Sequence, residues 1–258
     1  MERIEKLNLP TATLVLILIN VVVFAAFYNS GTLETAIETW GLKPPAIARG
    51  EDLHTLITSS FIHGDLSHLL GNMLYLSVLG YLLERKIGPA KFLIIYFASD
   101  LAASVFVLAM AWGYNAVMFG ASAAISGIAG ACFLCCMSDR IPLGFALMMV
   151  LPGLAFMISI AFPATVETIG LYIIFSTAIP ILTFVVAPFT TVILFPFLVT
   201  WMVFQLGAGL FYTSVGRLAG GIWAHLSGLI AGLLLFLLLI PKGRKKVTEH
   251  EAEIPVIG

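Results

Sequence analysis

The sequence IWAHLSGLIAGLLLFLLLI, residues 222–240, is an apolar stretch that contains no Asp, Glu, Lys or Arg. A helix of about 20 apolar residues spans the ~30 Å hydrocarbon core of a bilayer. Its polar side chains are few, and His225 is the one that titrates. The stretch therefore predicts a transmembrane helix that carries a histidine into the membrane.

The composition of the whole chain agrees with a membrane location. Of the 258 residues, 60% are hydrophobic and 10% are charged, whereas soluble domains are roughly 45–50% apolar and about 25% charged. Disorder is excluded because it needs low hydrophobicity. The 13 basic and 14 acidic residues leave no cationic surface for nucleic acid. The predicted class is an all-α polytopic membrane protein.

Eight apolar segments are predicted to span the membrane. They are residues 11–28, 67–84, 90–112, 121–138, 142–162, 166–187, 189–212 and 222–240. An even number of spans puts both termini on one side, and Lys and Arg are enriched on the cytoplasmic side. The side of the termini holds ten of these residues, namely Arg3, Lys6, Arg85, Lys86, Lys91, Arg140, Lys242, Arg244, Lys245 and Lys246. The other side holds Lys43, Arg49 and Arg217, so both termini are predicted to be cytoplasmic, in the cell membrane.

The two ends of the sequence are also informative. The apolar run Ala12 to Tyr28 is too long for the h-region of a signal peptide and no A-x-A-like site follows it, so it is predicted to be the first span. The connection 29–66 is long and lies outside. We expect a transmembrane domain over residues 1–240 and a charged cytoplasmic tail over residues 241–258.

Gly120-Ala121-Ser122-Ala123 opens the fourth predicted span. Polar groups are costly inside a bilayer, so each one is a candidate functional residue. A glycine beside a serine allows close backbone approach, and a helix N-terminus offers free N–H groups and a positive dipole end. This arrangement suits a serine nucleophile beside an oxyanion. A capping or packing role for Ser122 is the alternative.

His225 lies on a face of small residues in the eighth predicted span, formed by Ala224, Gly228 and Gly232. Small residues let helices approach closely in membranes. A second helix could pack against this face and bring a side chain within hydrogen-bond reach of the imidazole. The alternative is a structural histidine, hydrogen-bonded inside the helix bundle.

His68 and Asn72 open the second predicted span and lie on one helical face, because they are four residues apart. Two hydrogen-bond donors that point the same way fit an oxyanion site, and interhelical hydrogen bonding is the alternative. The second, fourth and eighth spans run in the same direction. Their polar clusters are therefore predicted to lie at the same face of the bilayer and at similar depth.

The combined pattern resembles the rhomboid family of intramembrane serine proteases. The matching segments are HGDLSHLLGNM at 63–73, GYLLERKIG at 80–88, GASA at 120–123 and GGIWAHLSGLIAG at 220–232, in the family's order. The resemblance implies that Ser122 is the nucleophile and His225 its general base. The resemblance implies that the protein needs no metal and no other cofactor. It also implies that the substrates are transmembrane proteins within the lipid bilayer. It does not indicate an oligomeric state.

The resemblance also assigns roles to other positions. His68 and Asn72 would supply oxyanion donors, together with the backbone N–H of Ser122. Glu84 and Gly88 match a structural motif at the inner end of the second span. The remaining motif positions are the packing residues Gly120, Ala224, Gly228 and Gly232.

Three departures from the family pattern stand out. The family's common G-x-S-G motif reads G-x-S-A in this chain, with Ala123 in the last position. Many relatives carry an aromatic residue that packs on the histidine where this chain has Ser126. The imidazole must therefore be oriented by another group. Ser122 and His225 are 103 positions apart with three predicted spans between them, where the family's six-helix core has one. An inserted two-helix hairpin over residues 142–187 accounts for the difference.

Four other polar or reactive residues can be explained by a structural role. Asp100, inside the third span, could tune the site, line a water path, or simply bond to a neighbouring helix. Cys132, Cys135 and Cys136 lie in one apolar run and are interpreted as apolar filler.

Competing functions are disfavoured on motif grounds. A zinc protease needs H-E-x-x-H, and His250-Glu251 has no second histidine. An aspartyl protease needs paired aspartates, and Asp100 is alone in its span. A solute transporter predicts inverted repeats, which the two halves lack. The remaining alternative is a catalytically silent rhomboid-like protein that binds membrane helices, although such relatives usually lose the serine or the histidine.

Overall fold

The computed structural model describes residues 9–110, 117–161, 178–187, 189–216 and 219–240. This part of the chain is mostly helical. Its helices are α1 (Thr11–Asn29), α2 (Leu33–Trp40), α3 (Pro44–Ala48), α4 (Thr55–Thr58), α5 (Leu66–Ile87), α6 (Pro89–Met110), α7 (Ser122–Cys135), α8 (Leu143–Ala161), α9 (Ile179–Val186), α10 (Leu194–Ser214) and α11 (Gly220–Leu239). A 3-10 turn, Ser59–Phe61, precedes α5, and a π-turn, Leu76–Gly80, lies within α5.

Five helices of the described part are long and apolar enough to cross a membrane: α1, α5, α6, α10 and α11. Each corresponds to one of the predicted spans, and the multi-pass membrane class is confirmed. Helix α7 is apolar but has 14 residues, and α8 lies within the predicted span 142–162. The predicted span 166–187 falls partly outside the described residues, so the count of eight spans stays a prediction.

One short sheet interrupts the mostly helical chain. Residues Arg140–Pro142 (β1) and Thr191–Ile193 (β2) form a two-stranded antiparallel sheet, with Ile141 opposite Val192. The Arg140 guanidinium donates to the Thr191 hydroxyl and carbonyl oxygens, at 2.9 and 2.7 Å. Three-residue strands carry no periodic signal, which is why the sequence pattern missed them. The sheet brings the start of α8 next to the start of α10.

Glu84 holds the N-terminus of α1. Its buried carboxylate accepts hydrogen bonds from the backbone N–H groups of Ala12 and Thr13, at 3.0 and 2.8 Å, and from the Thr13 hydroxyl at 2.7 Å. The first N–H groups of a helix lack internal partners, and a carboxylate is favourable at this positive end. Gly88 ends α5 with φ +81°, a conformation that glycine adopts readily. The predicted structural motif of Glu84 and Gly88 thus ties the first two long helices together.

Helices α7 and α11 are in backbone contact through their glycines. A Cβ atom on Gly228 would lie 2.4 Å from the carbonyl oxygen of Ala123, and one on Gly232 would lie 1.9 Å from that of Gly127. Gly130 meets the α11 backbone in the same way, because a Cβ there would lie 2.0 Å from a carbonyl oxygen. Such close approach needs small residues. It fixes how α7 and α11 are aligned along their lengths.

We predict that Gly232→Ala separates α7 from α11 and lowers the free energy of unfolding by about 3 kcal/mol. Overpacking a core typically costs about 1–3 kcal/mol, and the upper end applies because the added methyl group would collide with backbone atoms. Gly207→Ala is the matched control on α10, where a Cβ would meet nothing within 4 Å; it should keep wild-type stability. Equilibrium unfolding in mixed micelles measures both. Equal stability of the two variants would contradict the tight contact.

Candidate active site

Ser122 is the first residue of α7 and follows a sharp turn. Gly120 has φ +110°, in the left-handed region, and its N–H donates to the Ser59 carbonyl oxygen at 2.9 Å. A residue with a side chain is strained at such a φ. The turn delivers Ser122 to the helix N-terminus, where free N–H groups gather.

His225 reaches Ser122 from the neighbouring helix. Its Nε2 lies 2.9 Å from the Ser122 Oγ, and both side chains are half-buried. Ala224, one position before it, is buried together with Ala103 and Val107 of α6. The short distance follows from the backbone contact of α7 with α11, since a serine side chain is only two atoms long. The sequence-predicted pair is therefore within hydrogen-bond reach, a geometry that suits a nucleophile and its base.

His68 and Asn72 lie beside the turn that leads into Ser122. A Cβ on Gly120 would lie 2.7 Å from the His68 Nε2 and 3.5 Å from the Asn72 Nδ2. Both side chains therefore fill the space against this glycine, which is the physical reason for a glycine there. The buried Nδ2 of Asn72 has no hydrogen-bond partner among the described residues, so it is a donor available to a ligand.

Asp65 caps the helix that carries this donor pair. Its carboxylate accepts from the His68 backbone N–H at 2.8 Å and from the Ser67 hydroxyl. The bond from Ser67, followed by that from His68, lowers the pKa of Asp65. The capping interaction fixes the first turn of α5 and with it the position of His68.

His63 packs against the His68 ring, with ring centroids 5.0 Å apart. It is almost fully buried, and neither ring nitrogen has a partner among the described residues. Burial, with a smaller contribution from His68, lowers the pKa of His63 to about 4. His63 is therefore neutral at physiological pH and adds no charge behind the donor pair.

One cavity of about 680 Å³ borders most of these groups, but its lining does not include Asn72 or His63. Its lining includes Ser122, His225, His68 and Gly120. Asp100 also lines it, and its buried carboxylate accepts a hydrogen bond from the Ser60 hydroxyl. Asp100 thus bonds to a neighbouring segment and borders the cavity, and its role stays a prediction.

The motif residues divide into two groups in space. Gly228 and Gly232 set the helix contact beneath the cavity, whereas Glu84 and Gly88 lie at the opposite end of α5 and are absent from the cavity lining. Cys132 and Cys136 are fully buried and form no disulfide, as expected for side chains that fill apolar space. Within the described ranges, no group of three or more His, Cys, Asp or Glu could hold a metal ion.

Gln205 is a site residue that the motif analysis missed. Its Nε2 lies 3.0 Å from the His225 Nδ1, and the Trp201 ring lies one turn away with its centroid 6.4 Å from that of His225. The Ser126 hydroxyl donates to the Ser122 carbonyl oxygen of its own helix, at 2.8 Å. Gln205 is the single glutamine of the sequence. A polar side chain in an apolar span was the signal available to find it.

The structure is that of a helical multi-pass membrane protein with a serine and a histidine in contact at a cavity. Residues 50–172 match the family model described as the Rhomboid domain. The chain therefore carries a rhomboid domain, and the resemblance seen in its motifs is confirmed. The matched range includes Ser122 and ends before α11.

Curated relatives include proteins of differing description. "Rhomboid protease GluP" of Bacillus subtilis is 29% identical over 133 residues, 51% of this chain and 26% of that protein. "RHOMBOID-like protein 12, mitochondrial" of Arabidopsis thaliana is 46% identical over 56 residues, 22% of this chain and 17% of that protein. "Inactive RHOMBOID-like protein 8" of the same plant is 31% identical over 91 residues, 35% and 25% of the respective chains. The matches thus span only 17–26% of the relatives' length.

Proposed function

We propose that the protein is an intramembrane serine endopeptidase that hydrolyses peptide bonds in or near transmembrane segments of membrane proteins. The observation that carries the proposal is the 2.9 Å separation of the His225 Nε2 and the Ser122 Oγ at the wall of the cavity. The Rhomboid domain match and the relative named as a rhomboid protease support it.

The chemistry proceeds through a covalent intermediate. His225 Nε2 accepts the Ser122 hydroxyl proton while Oγ attacks the peptide carbonyl carbon. The protonated imidazole then gives that proton to the leaving amine as the C–N bond breaks, which leaves an acyl-serine. A water molecule, deprotonated by the same imidazole, attacks the ester carbonyl carbon. The bond to Oγ breaks, the proton returns to Ser122, and the carboxylic acid product is released.

The tetrahedral intermediate carries negative charge on the former carbonyl oxygen. Asn72 Nδ2, His68 and the backbone N–H of Ser122 are the proposed donors to this oxygen. The lack of a described partner for the Asn72 Nδ2 supports this assignment. Donors fixed in place before the reaction need no reorganisation when the charge develops.

The proposed substrates are transmembrane proteins in the lipid bilayer. A helix hides its carbonyl groups in its own hydrogen bonds, so a substrate span must unwind locally before Ser122 can attack. Helix-weakening residues near the cleaved bond would lower that cost. We propose that the reaction needs no cofactor, because the Ser122–His225 dyad and the oxyanion donors account for it.

A second candidate function is a catalytically silent protein that binds membrane helices. The relative named as an inactive rhomboid-like protein is the observation that favours it. Such a protein would keep the bundle and the cavity but would not acylate Ser122. Labelling of Ser122 separates the two candidates.

In the proposed topology the protein lies in the cell membrane and crosses it eight times. Both termini are then in the cytoplasm. The transmembrane domain covers residues 1–240, with an inserted hairpin at 142–187, and the tail covers 241–258. One observation supports the hairpin: β1, at its start, pairs with β2, which follows its end. A reporter fused after residue 258 should be active on the cytoplasmic side; activity on the other side would overturn this topology.

We predict that Ser122→Ala abolishes cleavage of a transmembrane substrate in proteoliposomes, since loss of a nucleophile removes roughly 10⁴–10⁶ of the rate. It should also abolish covalent labelling by a fluorophosphonate. Ser126→Ala, one turn further along α7, is the control and should cleave and label as wild type. Cleavage by purified Ser122→Ala would sink the protease assignment, and a wild-type protein that neither labels nor cleaves would support the silent binder.

We predict that Asn72→Ala lowers kcat about 10²–10³-fold with little change in KM, because an oxyanion donor acts mainly in the transition state. Gly71→Ala is the matched control on the same turn of α5, where a Cβ would meet nothing within 4 Å; its kcat should stay near that of wild type. An Asn72→Ala enzyme with wild-type kcat would remove Asn72 from the oxyanion site.

A further inference from the structure

The imidazole of His225 is held from both sides. Nε2 meets the Ser122 Oγ at 2.9 Å, and Nδ1 meets the Gln205 Nε2 at 3.0 Å. These contacts come from α7 and from α10, so the ring of a residue on α11 is fixed by two neighbouring helices. Gln205 is half-buried, whereas Val203 and Leu206 on the same helix are exposed. The glutamine thus lies on the inward face of α10.

The two ends of the amide have opposite consequences for the imidazole. With Nε2 of Gln205 facing the ring, its N–H donates to a bare Nδ1, and the imidazole proton must then sit on Nε2 and point at Ser122. With Oε1 facing the ring, the oxygen accepts from Nδ1–H, and Nε2 is bare and able to accept the serine proton. Half a turn about the last side-chain bond exchanges the two arrangements, because both ends of the amide have nearly the same shape.

The catalytic cycle requires the second arrangement. A neutral histidine can act as base at Nε2 only when its proton is on Nδ1. Once His225 has taken the serine proton, both of its ring nitrogens carry protons. An amide N–H that faced Nδ1 would then place two hydrogen-bond donors opposite each other. An amide oxygen facing Nδ1 stabilises the charged ring instead.

We propose that Gln205 is a positioning residue for the dyad: its side-chain amide orients the His225 ring and, with Oε1 toward Nδ1, selects the tautomer that can deprotonate Ser122. The inference rests on the proposed protease function. It accounts for the missing aromatic support at position 126, because Ser126 bonds to its own helix. Gln205 takes over that support from α10.

Two substitutions of similar size distinguish positioning from packing. Gln205→Met keeps the volume and removes both hydrogen-bonding ends. Gln205→Glu keeps the shape and presents oxygens that accept from Nδ1–H. A packing role predicts that methionine is tolerated and that glutamate, a polar acid in an apolar helix, is harmful. A positioning role predicts the reverse order of activity.

The expected result is a fall in kcat of about 10- to 100-fold for Gln205→Met, as for other groups that orient a reacting side chain, with KM within about twofold of wild type. Gln205→Glu should recover kcat to within about threefold of wild type. The rate of fluorophosphonate labelling should follow the same order, because it reports serine reactivity without a substrate. Val203→Ala, on the exposed face of α10, should behave as wild type.

A second measurement does not depend on proteolysis. Nitrogen-15 NMR of histidine-labelled protein in detergent, with the His225 signal identified by its loss in His225→Asn, distinguishes a protonated from a bare Nδ1. Wild type and Gln205→Glu should show a protonated Nδ1, and Gln205→Met should show a mixture of tautomers.

The two measurements separate the two possible failures. A Gln205→Met protein with wild-type kcat, or with an unchanged His225 spectrum, overturns the positioning role. If wild type neither cleaves nor labels, the protease function fails, and the spectrum alone still decides whether Gln205 selects the tautomer.

Discussion

The backbone contact between α7 and α11 is the constraint on which the site depends. Gly228 and Gly232 bring α11 within reach of the carbonyl oxygens of Ala123 and Gly127. The hydrophobic effect does not drive helices together inside a bilayer, so association relies on packing and on hydrogen bonds. Once this contact is made, a serine at the start of α7 and a histidine on α11 have little freedom to separate. The 2.9 Å separation of the His225 Nε2 and the Ser122 Oγ is therefore a consequence of helix packing.

The remaining polar groups are organised by helix ends. Asp65 caps the helix that carries His68 and Asn72, and Glu84 caps α1 from the far end of the same helix. Both carboxylates satisfy N–H groups that would otherwise lack partners. Helix α5 is thus anchored at both ends by hydrogen bonds, and its donor pair lies against Gly120 at the cavity.

The sequence predicts what its spacing and polarity encode and misses what depends on contacts between distant segments. The proximity of Ser122, His225, His68 and Asn72 could be predicted because each is a polar residue in an apolar span and lies in a short motif. The location of the long helices followed from runs of apolar residues. The β1–β2 pairing was not predictable, because three residues on each side show no alternation. Gln205 carried a signal of polarity, but its partner is 20 positions away on another helix.

The contact of Gln205 with His225 links this histidine, through α10, to the segment interpreted from the sequence as an inserted hairpin. Helix α10 begins next to β2, and α8 packs closely against it, since a Cβ on Gly153 would lie 2.2 Å from the Phe204 ring. Phe204 precedes Gln205, so α8 packs against the turn of α10 that carries Gln205. Tyr75 of α5 also donates to the Met148 carbonyl oxygen of α8, at 3.3 Å. Helix α8 thus contacts both α5, which carries His68 and Asn72, and α10, which carries Gln205.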